Sequence, residues 1–95
     1  MEVLRPKELD THPGDDILAW AHQQLSIARS ILDNPGGGLL FATQTVGQVR
    51  AALEERDSAR WREAVEALGR AEDAAVRREF AAGRQLIDAA AEKIR

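Results

Sequence analysis

The 95-residue sequence predicts an all-α fold: a three-helix protein with an extended N-terminal arm, a short helix pair and a long C-terminal helix. Three observations predict it. Apolar residues recur at helical spacing from Ile17 onward, Asp33-Asn34-Pro35-Gly36-Gly37-Gly38 interrupts the pattern, and no proline follows Pro35.

Residues 1–14 hold Pro6 and Pro13 and no periodic pattern, so they read as an extended arm preceding a single helical domain, 15–95. The first helix, about 15–33, opens with Asp15 and Asp16, carboxylates suited to free N–H groups and a positive dipole end. Ile17, Leu18, Ala21, Leu25, Ala28, Ile31 and Leu32 line one of its faces. Proline cannot continue the helix, and three glycines follow it. The second helix, about 39–56, carries Leu39, Ala42, Val46, Val49 and Leu53 at heptad a/d spacing. Asp57 or Ser58 caps the third, about 58–95, and the short link makes helices two and three an antiparallel hairpin.

The third helix has the strongest pattern. Trp61, Val65, Leu68, Val76, Phe80, Gly83, Ile87, Ala90 and Ile94 keep helical phase, flanked by Ala64, Ala71, Ala75, Ala82 and Ala89. At 1.5 Å per residue it would run roughly 57 Å, about twice either preceding helix. Half its apolar stripe would then lack cover within the chain. The alternative is a four-helix bundle in which this helix breaks near Gly69 or Gly83. A helical glycine costs about 1 kcal/mol relative to alanine, too little to force a break, and the stripe passes through both glycines in phase.

Composition narrows the function classes. A formal charge of −3 and a pI near 5.3 argue against nucleic acid or an anionic membrane surface as a partner. With no cysteine, disulfides, thiol catalysis and cysteine-ligated metals are excluded. No signal peptide or membrane-length apolar run is present, so a cytoplasmic protein is expected. Eleven arginines against two lysines and abundant alanine fit a GC-rich bacterial or phage genome.

Catalytic and cofactor motifs are weak. Gly36-Gly37-Gly38 leads into Leu39-Leu40-Phe41, without the lysine of a phosphate loop. His12 with Asp15 and Asp16 reads as a loop histidine beside capping carboxylates. His22 has no carboxylate three or four residues away, and no serine stands in a nucleophile elbow. An enzyme, a cofactor, a metal and a small-molecule substrate are therefore not expected.

The function expected from the residues is a non-enzymatic protein–protein interaction module: an adaptor, an assembly subunit or an inhibitor of a larger protein. It would act through the apolar face of the long C-terminal helix and self-associate as a homodimer or other homo-oligomer. Glu72, Val76, Glu79, Phe80, Leu86, Ile87 and Ile94 are the candidate interaction residues. Glu72 and Glu79 fall inside the apolar arc one heptad apart, either snorkelling to water or pairing across an interface with arginine. Truncation after Arg78 is expected to leave a folded chain that no longer associates. The alternative is a small dimeric DNA-binding regulator using Arg56, Arg60 and Arg62, although Glu54, Glu55, Asp57 and Glu63 offset that charge.

Overall fold

The computed structural model of the chain describes residues 14–94, and these form four helices. The predicted arm, the capping side chains of Asp15 and Asp16, and Arg95 lie outside the described residues. Helix α1 spans Gly14–Asp33, α2 Leu39–Asp57, α3 Arg62–Val76 and α4 Phe80–Lys93. Each packs on its neighbour in sequence, and α1 closes the ring against α4. No described helix is long and apolar enough to cross a membrane.

The stop after α1 lies where the residues place it; the turn after α2 runs on to Trp61, so the next helix starts at Arg62 rather than 58 and neither Asp57 nor Ser58 is its N-cap. Gly36 adopts a φ of 48°, open to glycine at little cost, and the Gly38 N–H bonds the Pro35 carbonyl as α2 begins. At the next turn an Asp57 carboxylate oxygen accepts the Arg60 N–H at 3.1 Å.

The single long third helix does not form. The chain takes the four-helix alternative, and the break falls at Arg77-Arg78-Glu79 rather than at either glycine. Arg78 has a left-handed φ of 64°; its N–H bonds the Ala75 carbonyl and the Glu79 N–H bonds that of Ala74. Those two bonds are the Schellman arrangement, in which a left-handed residue satisfies the last carbonyls of a helix. The position usually holds glycine, because a side chain there costs about 1–2 kcal/mol. Burial offsets that strain. Folding back places Ile87 and Ile94, 1% and 0% exposed, in the core, and full burial of such a side chain is worth about 1.5–3 kcal/mol.

Gly83 has a packing role and does not break its helix. A Cβ there would stand 3.1 Å from Leu32 Cδ1, so the missing side chain lets α4 approach α1 closely. A Cβ at Gly69 would meet only Arg50 Cδ at 3.9 Å, so nothing in the packing requires glycine there.

The core joins Leu25 and Leu32 of α1, Val49 and Leu53 of α2, Leu68 of α3 and Ile87 of α4, with Trp61 sealing the α2–α3 turn. Alanines 64, 71 and 75 are buried, whereas Ala82 and Ala89 of the same predicted row face solvent.

Polar contacts set the register of the α1–α4 seam. Arg29 Nε donates to Asp88 Oδ1 at 2.8 Å, Arg84 Nε lies 3.1 Å from Asp33 Oδ1, and Arg29 also reaches Asp33. Further along, His22 Nε2 donates to the Ile94 carbonyl at 2.6 Å. Low-numbered residues of α1 meet high-numbered residues of α4, so the two helices are antiparallel. The Asp88 hydrogen bond pushes the Arg29 guanidinium above its ordinary pKa. Glu72 does the same for Arg50 through its hydrogen bond. Stabilisation of this sign is complete at neutral pH and lost only in strong alkali.

Candidate functional site

The seven residues predicted to form an intermolecular surface do not share one. Ile87 and Ile94 are core residues covered by the rest of the chain, and Phe80 and Leu86 pack half-buried against that core. The expectation of an uncovered C-terminal stripe is thereby overturned, because α4 turns its own stripe onto α1 and α3. Glu72 spans the α2–α3 interface, where Arg50 Nε donates to its Oε2 and a Cβ at Gly47 would lie 3.4 Å from its Oε1. Its pairing with arginine is made within the chain. Glu79 is exposed at the α3–α4 corner, 3.5 Å from Arg77. Val76, 69% exposed, is the one large apolar residue of the seven on the surface.

A different face carries the surface features. The sequence holds thirteen basic and sixteen acidic residues, yet between Ile17 and Val49 only Arg29 and Asp33 bear a full charge. Both of those turn toward α4. The other flank of α1 presents Trp20, Gln24, Ile27 and Ile31, at i, i+4, i+7 and i+11, one line along a helix. Helix α2 repeats the spacing with Phe41, Thr45, Gln48 and Ala52. Thr45 closes the seam from below, buried to 3% exposure, while Phe41 and Ile27 stand out at 55% and 40%.

The two lines adjoin. A groove between α1 and α2 is lined by Ile17, Trp20, Gln48, Ala51 and Ala52, with Glu55 and Arg56 at its far edge. At the opposite end Ile31 Cγ2 lies 3.1 Å from where a Gly38 Cβ would stand, which brings the start of α2 against the end of α1. The result is a face about two helices wide bearing apolar groups, amides and small residues, with charges only at its edge.

Among the described residues no three His, Asp or Glu side chains gather as a metal could use. The proposed DNA-contacting arginines lie among acids: Arg60 stacks over Trp61 at 4.6 Å, and Glu63 pairs with Lys93 at 3.0 Å. No family model, curated protein or solved structure matches the chain.

The uncharged face was missed because periodicity assigns apolar residues to one stripe per helix. Trp20, Ile27 and Phe41 fall off those stripes and look like isolated surface residues, which are ordinary. The available signal was the absence of charge along both helices, read together with those three residues.

Proposed function

We propose that the protein is a non-enzymatic interaction module whose binding surface is the outer face of the α1–α2 hairpin. One observation carries this reading: a face two helices wide holds exposed Ile27 and Phe41 beside half-buried Trp20 and Ile31 and, among the described residues, has charge only at its edge, in a chain where nearly a third of the residues are charged. Depletion of charged residues and enrichment in aromatics distinguish the centre of a protein interface from ordinary surface. The C-terminal helix acts as the back wall that holds α1 in place. The DNA-binding alternative rests on Arg56, Arg60 and Arg62 alone, and the acids beside them weaken a phosphate contact.

The test is photo-cross-linking from a benzophenone amino acid placed at Ile27 or Gln48, with Ala82 and Ala89 on exposed α4 positions as controls. Protein adducts from the first pair and none from the second are expected. Adducts confined to the α4 positions, or none at any position in cells of the native host, would overturn the reading.

A further inference from the structure

We infer that the occupant of the α1–α2 face is a second copy of this chain, packed face to face about a two-fold axis; the inference rests on the interaction surface proposed above. In a two-fold interface the same patch meets itself, so a face bearing charge of one sign opposes its own copy. This face carries none between Trp20 and Ile31 or between Phe41 and Ala52, apart from Arg29 and Arg50, which are engaged by Asp88 and Glu72 on other seams. A chain of net charge −3 thus has a surface on which two copies meet without repulsion.

What the face does carry is self-complementary. The amides of Gln24 and Gln48 each donate and accept hydrogen bonds, so each can pair with its own kind. The edge residues Glu55 and Arg56 have opposite signs, so the edge does not present charge of a single sign to its own copy. Ile27 and Phe41 project as apolar anchors, while Ala51 and Ala52 leave room for helices to approach.

The area fits a weak dimer. The uncharged run of each helix, about 16 residues, spans about 24 Å, and two adjacent helices are about 20 Å wide, giving about 480 Å² per copy. Two copies bury about 1,000 Å², below the range of stable interfaces, so the association is weak, reversible and visible only toward high concentration.

The experiment is light scattering of the full chain across a concentration series. The wild type should move from 10.4 kDa toward about 21 kDa as concentration rises. The variant I27E/F41E should stay at 10.4 kDa with unchanged helical circular dichroism, since both positions are exposed. The control A82E/A89E, with the same added charge on α4, should dimerise like the wild type. A wild type of 10.4 kDa at every concentration, or an I27E/F41E variant that still dimerises, overturns the second copy as occupant. The cross-linking probes separate the two readings. A monomer whose Ile27 and Gln48 probes capture a different protein keeps the interaction surface and loses the second copy; silence at all positions removes both.

Discussion

Replacing Arg78 with glycine should stabilise the protein. Arg78 sits in the left-handed region at φ 64°, and its exposed side chain makes no hydrogen bond or ion pair among the described residues. A non-glycine residue there costs about 1–2 kcal/mol, and glycine removes that strain. Glycine also gives the unfolded chain more freedom, which returns about 0.5–1 kcal/mol of the gain. The net expectation is a stabilisation of about 0.5–1 kcal/mol. For a domain of this size that raises Tm by about 2–8 °C, since 1 kcal/mol corresponds to about 4–8 °C. R78A serves as the control, because alanine meets the same left-handed penalty and should change little. In one continuous helix the sign reverses: glycine would sit mid-helix and cost about 1 kcal/mol. Thermal unfolding of the three proteins by circular dichroism decides it. A Tm for R78G at or below that of R78A would refute the Schellman turn at this position.

The two helical glycines should respond in opposite directions. G83A puts a methyl 3.1 Å from Leu32 Cδ1 and should destabilise by about 1 kcal/mol, whereas G69A has room and should stabilise by about 1 kcal/mol; chemical denaturation reads both. I87A empties a fully buried site and should cost about 2–5 kcal/mol, much of the stability of a domain this small, as a loss of cooperative thermal unfolding would show. Truncation after Arg78, expected from the sequence to leave a folded chain, should instead give an unfolded or molten one, because α1 and α3 lose the helix that covers them. A sharp thermal transition in the truncated chain would contradict this.

The ends of α1 and α2 were legible because their signals are local. Pro35 removes a backbone donor, the glycines after it accept the turn, and Asp57 supplies a side-chain acceptor where α2 ends. The break at Arg78 was not legible. Trp61, Ala64, Leu68, Ala71 and Ala75 on one side and Gly83, Ile87, Ala90 and Ile94 on the other keep helical phase across it. Periodicity therefore reads the same for a rod as for a hairpin. The turn residue is an arginine whose strain is offset by burial elsewhere, and burial of α4 against α1 is a long-range gain that no local window contains. The glycines drew attention as break points, yet Gly83 is there for close packing. The candidate surface followed from the same error, because residues left uncovered in a straight helix become core once it folds.

The account turns on α4 lying along α1, since that contact buries Ile87 and Ile94 and, among the described residues, places no helix over the outer α1–α2 face. The chain has no cysteine, so Q23C/A89C gives two unique sites for spin labels, both exposed. With α4 folded back, adjacent antiparallel helices hold the two labels within about 25 Å of each other, allowing for the label tethers. A continuous third helix would carry residue 89 past the end of the bundle and separate the labels by about 35 Å or more. Pulsed dipolar spectroscopy on dilute protein, or on protein diluted with unlabelled chain, distinguishes the two. A single short distance is predicted; a dominant distance beyond about 35 Å would contradict the fold and the surface derived from it.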